Sequence, residues 1–308
     1  MTEILRAELH CHNIFSNYRN SSVRLPYDCG ITLEDQLQAA LDKGIDVLFV
    51  TNHNTLDGYE QILEYKNSHK KFERIRIYPA EEITINNQGH VLGYGLHERI
   101  RPGMTLEETL DEIRRQGGVS CAAHPFAVTN GIREKAAMCD MVESFNSNNV
   151  DRFSNVIAER FAKEHGIATI AGSDSHVVST IAKCVNLIDS ENNLDNIIQV
   201  MSKGRNRIAS REYASKEQVF EHAYYIISSS KESLLEYTML HHPRVFTAAK
   251  WALTSFTSNP NSMTWRTLAS LVLYLVRRAS EKVNVRGYDP KIFLERPWRK
   301  LIAISLMP

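Results

Sequence analysis

His10 and His12 stand one residue apart at the end of an apolar run that begins at Ile4. In an extended strand, side chains alternate between faces, so both imidazoles point one way and Cys11 the other. Two imidazoles on one face can grip a metal ion. Similar residues follow along the chain. His53, Glu82, His124, Asp174 and His176 each fall where an apolar run gives way to polar residues, and His90 opens a short apolar run after Gln88-Gly89. Neutral imidazoles mixed with carboxylates suit zinc, manganese or iron, whereas magnesium favours an all-oxygen shell. A cluster of such ions activates water and neutralises phosphate oxygens, so phosphoester hydrolysis is the reaction this set serves best.

The elements that must carry these residues alternate. Asp46–His53 reads as a buried strand, and before it Leu33, Leu37, Ala40 and Leu41 share one helical face between Thr32 and the stop at Gly44. A second helix is expected around Leu56–Tyr65, then strands over Arg74–Tyr78 and His90–Gly95. Thr105-Leu-Glu-Glu108 is a capping box opening a helix that runs to Gly117. Val119–Ala123, Met141–Asn146 and Ile167–Gly172 read as strands, with a helix ending at His165 between the last two. This rhythm predicts an α/β fold with a parallel sheet. In a barrel of parallel strands, their C-terminal ends share one rim. The polar stretch Asn13–Gly30 is too long for a plain connection and is expected to be an active-site loop. From about Ala214 helical stretches dominate: Glu217–Ser229, Arg244–Phe256 and Thr264–Lys282. Residues 1–210 are therefore expected to form the catalytic domain, and 211–308 a helical C-terminal extension.

The five cysteines are odd in number and scattered, with no CxxC pair, which argues against a disulfide framework or a cysteine zinc site. A cytoplasmic location is expected, and Met1–Ala7 mixes Glu3 and Arg6 into its apolar residues, unlike a signal peptide. The longest strongly apolar segment, Leu268–Val276, falls well short of the ~20 residues that span a bilayer, so no membrane partner is expected. A net charge of zero hides an asymmetry. Residues 201–308 carry 17 Lys and Arg against 8 Asp and Glu, leaving the ligand-bearing half acidic. Docking of the basic part on the acidic part is the favoured reading, ahead of attraction for a phosphorylated substrate or a nucleic acid.

Taken in order, these motifs resemble the PHP (polymerase and histidinol phosphatase) family of metal-dependent phosphoesterases, over roughly residues 5–190. His10-Cys-His12 resembles its HxH motif, Tyr27-Asp28-Cys29-Gly30 its Ser-Asp-Gly turn, and Thr51-Asn-His53-Asn-Thr55 its Thr-Asp-His-Asp-Thr. Glu82-Ile-Thr, Gly89-His90-Val-Leu-Gly, His124-Pro125 and Gly172-Ser-Asp174-Ser-His176 complete the set. The resemblance implies a distorted (β/α)7 TIM-like barrel holding two or three divalent ions (Zn, Mn or Fe). By the same carry-over, His10, His12, Glu82 and Asp174 hold one ion. Glu82 bridges to a second held by His90 and His124, and Asp28, His53 and His176 hold the third. Asn52 and Asn54 replace aspartates usual in the family, which is expected to weaken the support of His53.

The resulting expectation is a hydrolase acting on a small phosphate monoester, with Asp174 and His176 central. Asn146, at a strand end, is expected to line the pocket, while Arg19, Arg24 and Arg133 compete to clamp the phosphate. The alternative is a nuclease or nucleotide phosphohydrolase whose basic C-terminal region holds nucleic acid. That reading is not favoured, because the aromatic residues there sit in apolar helical contexts rather than interleaved with cations. A third reading, a non-catalytic metal-binding module, is disfavoured by the complete ligand set. His222 and the other histidines without spacing partners are expected to lie outside the site.

Overall fold

The computed structural model describes residues 3–17, 25–86 and 89–294. Among these residues the strands are β1 (Glu3–Cys11), β2 (Val47–Val50), β3 (Arg76–Ile85), β4 (Gly89–Tyr94), β5 (Val119–Ala122), β6 (Met141–Asn146), β7 (Ala168–Gly172), β8 (Cys184–Ser190) and β9 (Arg207–Arg211). They form one sheet in the order β7-β6-β5-β4-β3-β2-β1-β8-β9. Helices α1 (Leu33–Asp42), α2 (Tyr59–Asn67), α3 (Leu106–Arg115), α4 (Phe153–His165) and α5 (Leu194–Ser202) lie between strands. Local chemistry sets their starts. Thr32 caps α1 by accepting from the Asp35 amide at 3.1 Å, and the capping box of α3 forms between Thr105 and Glu108.

The sheet is not uniformly parallel, contrary to expectation. β4 runs antiparallel to both β3 and β5. Only three residues separate it from β3, too few for a crossover, whereas α3 lies between it and β5. The reversal explains why His90 opens its strand while the other ligands close theirs: reversing the strand brings its start to the common rim. β3 also continues further than expected, so Glu82 lies inside a strand. β8 and β9 are antiparallel too.

The sheet curls into a nearly closed barrel, and each end closes differently. At the rim, the Asp174 amide donates to the His10 carbonyl at 2.7 Å and the His12 amide to the Ser175 carbonyl at 3.1 Å, joining the residues after β7 to β1. At the opposite end β8 lies against β1, and the Asn186 side chain accepts from the Ala171 amide and donates to the Ala171 carbonyl. Inside, Leu9, Phe49, Ala80, Leu92, Cys121, Met141 and Ile170 bring one buried residue from each of the first seven strands into a single cluster. A bulge in β1 between Glu8 and Cys11 resets the alternation, so His10 and His12 also face inward while Cys11 packs outside with Ile31 and Leu37.

The C-terminal region supplies α6 (Lys216–Ser229), α7 (Lys231–His241), α8 (Phe246–Ser258), α9 (Met263–Asn284) and the short α10 (Lys291–Leu294). Polar contacts fasten α9 to the barrel. Ser280 donates to Asp151 at 2.7 Å, Asn284 to the Phe126 carbonyl at 3.0 Å, and Arg277 to the Val150 carbonyl at 3.1 Å. No described helix is long and apolar enough to cross a membrane.

Candidate metal centre

Main-chain pairing continues past the strand ends and sets the ligands in register. The Glu82 amide donates to the Asn52 carbonyl and the Asn54 amide to the Glu82 carbonyl, so His53 and Glu82 lie side by side. The seam between His10 and Asp174 does the same on the other flank. Two of these residues sit in left-handed backbone, His124 at φ 29° and Asp174 at φ 50°. Such strain is sustained at functional sites by surrounding bonds. Here they are the seam for Asp174 and, for His124, donation from its amide to Glu143 at 2.7 Å.

Glu82 is the hub. Its Oε1 lies 2.7 Å from His90 Nδ1 and 3.0 Å from His124 Nε2, while Oε2 lies 2.9, 3.2 and 3.5 Å from nitrogens of His53, His12 and His10. Asp174 Oδ1 sits 3.3 Å from His12 Nε2 and 3.5 Å from His10 Nε2. Asp28 Oδ2 lies 3.0 Å from His176 Nε2 and 3.3 Å from His53 Nε2. The ligand atoms of His10, His12, Glu82 and Asp174 all fall within 4.8 Å of one another, as do those of His53, Glu82 and His90. All nine residues of the anticipated ligand set are thus brought together.

The set fits divalent cations on an observation independent of sequence. His10 Nε2, His12 Nε2, Glu82 Oε2 and Asp28 Oδ2 are buried and make no hydrogen bond among the described residues. Buried polar atoms without partners are rare, and converging lone pairs of nitrogen and carboxylate oxygen make a cation's site. Burial alone would raise the carboxyls of Glu82 and Asp174, but the surrounding imidazoles hold both well below the usual carboxylate range. Burial, with His176 and His53 alongside, lowers His12, whereas at His10, His53, His124 and His176 burial is outweighed by the carboxylates, which raise them. A cation binding here would displace those protons, because ionised carboxylates and neutral imidazoles are the forms that bind metal.

A second layer orients the ligands, and most of it escaped the sequence reading. Glu143 on β6 accepts from His10 Nδ1 at 2.8 Å, turning Nε2 into the centre. Ser16 holds His12 Nδ1 at 3.0 Å, and the Asp174 carbonyl holds His176 Nδ1 at 3.0 Å. Asn146 is fully buried and donates to Glu143 at 2.9 Å and to Asp174 at 3.2 Å, holding the Asp174 carboxylate instead of lining a pocket. A carboxylate and an amide inside the apolar strand Met141–Asn146 were the available signal for this pair. Asn52 donates to Asn13 and to the Asp57 carbonyl, and its oxygen accepts from Ser16. An aspartate could not donate, so the asparagine here completes the support under His12, and the expected weakening at His53 does not arise from it.

His222 on α6 is the other omission. Its Nε2 donates to the Asp28 carbonyl at 2.8 Å, its ring stacks on His176 at 4.7 Å, and its ligand atom falls within 4.8 Å of those of Asp28 and His176. No short-range spacing marks it, because the contact spans 194 residues. Of the arginines, Arg19 and Arg24 lie outside the described residues. Arg133 is not brought to the cluster; it donates to Asn284 at 3.2 Å and lies over the Phe126 ring.

Comparisons with known proteins bear on the family and the fold. A family model described as PHP-associated matches residues 152–206. The uncharacterized protein MJ1587 of Methanocaldococcus jannaschii is 31% identical over 158 residues, covering 50% of this chain and 89% of that protein. The chain belongs to the PHP family. Among solved structures, a two-domain Bacteroides vulgatus protein containing a predicted PHP-like metal-dependent phosphoesterase superposes with a TM-score of 0.54 at 15% identity, covering 73% of this chain and 70% of that one. PsfC of Pseudomonas syringae gives 0.53 at 17% identity over 74% and 99%. Both likenesses are of fold.

Proposed function

We propose that this PHP protein is a metal-dependent hydrolase of small phosphate monoesters. In this reading His10, His12, Glu82 and Asp174 hold one divalent ion, and Glu82 with His90 and His124 a second. Asp28, His53 and His176 hold a third. The single observation that carries the reading is the Glu82 carboxylate, shared among five imidazoles while its Oε2 has no hydrogen-bond donor. Zinc, manganese or iron bound there would supply Lewis acidity that activates water and neutralises phosphate oxygens.

The chain's own residues provide the frame. Glu143 and Ser16 fix the outward nitrogens of His10 and His12, and Asn146 fixes Asp174. Orientation of this kind is typically worth 10- to 100-fold in metal affinity or rate. Residues 1–210 carry this machinery, and the helical region from 211 onward roofs it. All five cysteines are buried thiols, in keeping with a reducing, cytoplasmic setting. The nuclease alternative is weaker on one observation: no Lys or Arg is among the described residues lining the cavity beside Asp174, where a polymer's backbone would need cations.

The test is reconstitution with zinc, manganese or iron, followed by elemental analysis and a panel of phosphate mono- and diesters. More than one metal equivalent and preferential turnover of monoesters are expected. Asp174→Ala and His10→Ala should lose both metal and turnover while remaining folded. Trace metal after reconstitution, or full turnover in either variant, would sink the assignment.

A further inference from the structure

α9 presents Val272, Leu275, Val276 and Ala279 at helical spacing, one stripe along a single face. That stripe forms one wall of a cavity of about 440 Å³ whose other side carries His124 and Asp174, two residues of the metal centre. The volume falls in the ordinary range for small-molecule sites. The helix is held in this pose by the bonds of Ser280, Asn284 and Arg277 to the barrel described above, so the stripe is a built part of the site. Phe293 of α10 adds a further apolar surface. Val272 is 50% and Val276 44% exposed, large for aliphatic residues beside a buried polar centre. The barrel side of the cavity also carries Thr129, Asn130, Asn148, Asn149 and Asp151 but, among the described residues lining it, no cation. Apolar area beside a charged cluster is what a ligand with one charged end and one hydrocarbon end would cover.

Resting on the phosphoesterase reading, we infer that the substrate is the phosphate ester of an apolar alcohol. Its phosphate lies at the His124–Asp174 end and its hydrocarbon along the Val272–Ala279 stripe. A sugar phosphate or nucleotide lying along the α9 stripe would leave hydroxyls and ring polar groups against aliphatic side chains there. A second copy of the chain would have to bring a side chain to the ligands to fill the same space.

The experiment uses the manganese-reconstituted full chain and non-hydrolysable linear alkylphosphonates, from methyl to octyl, with affinity read by calorimetry. Burial of each methylene is expected to tighten Kd about two- to four-fold until the cavity is full. A hydroxylated phosphonate of equal length should bind more weakly. Leu275→Asn and Val276→Asn should flatten the series, the octyl compound losing far more affinity than methylphosphonate. If methylphosphonate binds but the series is flat in the wild type, or hydroxylated chains bind more tightly, this inference fails and the phosphoesterase reading stands. A flat series together with a dimer that Val276→Asn dissociates overturns it in favour of a second copy. If no phosphonate binds to a metal-loaded chain, both readings fall.

Discussion

His222 Nε2 donates to the main-chain oxygen of Asp28 at 2.8 Å, so a helix of the C-terminal region holds the loop that carries a proposed ligand of the metal centre. The same helix places Tyr225 over Gly30, where any Cβ would lie 2.9 Å from the ring, and the Tyr225 hydroxyl meets Asn17. Asn17 in turn accepts from the amides of Asp28 and Cys29 at 2.7 and 2.9 Å. Burial, and then His176, push the His222 imidazole down to about 4, so it stays neutral and donates.

His222→Ala should therefore lower metal content by about one equivalent and turnover by 10- to 100-fold, the usual scale for orienting partners. His222→Gln, whose amide can still donate, should recover part of both. Elemental analysis decides the matter: unchanged stoichiometry in the alanine variant would make His222 a packing residue only.

Gly172 admits no side chain, because a Cβ would sit 1.9 Å from Glu143 Oε1 and 2.6 Å from His10 Cβ. Gly172→Ala should displace Glu143, release His10 and weaken metal binding by 10- to 100-fold. The overpacking itself should cost about 1–3 kcal/mol of stability. Titration of the apoprotein with zinc against a competing chelator checks the first effect, and an unaltered affinity would refute it.

Glu81 points away from the centre and accepts from the Ile100 amide at 3.0 Å, and burial raises its carboxyl from 4.5 to about 7. Between these values the folded chain keeps a proton that the unfolded chain has lost, so this group's contribution falls as pH rises through that window and is level above it. Glu81→Gln should match the wild type below pH 4.5 and gain on it up to about pH 7, by roughly 1–3 kcal/mol. Denaturant melts across pH 4–8 test this; a constant difference would contradict it.

The convergence of the candidate ligands was legible in the sequence because most of them follow apolar runs, and strand ends in a barrel converge by construction. The β/α rhythm up to Gly172 and the caps at Thr32 and Thr105 were legible for the same reason: periodicity and capping are local. The reversal of β4 was not, since a short strand carries no mark of direction. Nor were Glu143, Ser16 and Asn17, whose roles depend on which strand lies beside which. His222 was the hardest to see, as only the packing of α6 across the rim gives it a partner.

The barrel is shut at the rim by bonds from the amides of Asp174 and His12, which belong to the proposed ligand set itself. The other end is latched separately by Asn186. If the proposed ions bind, the rim would work as a clasp that they tighten, and its protons would become a gauge of occupancy. Amide hydrogen exchange at His12 and Asp174 should be slow in the loaded chain and quicken after chelation, while exchange at Ala171 beside the latch stays as it was.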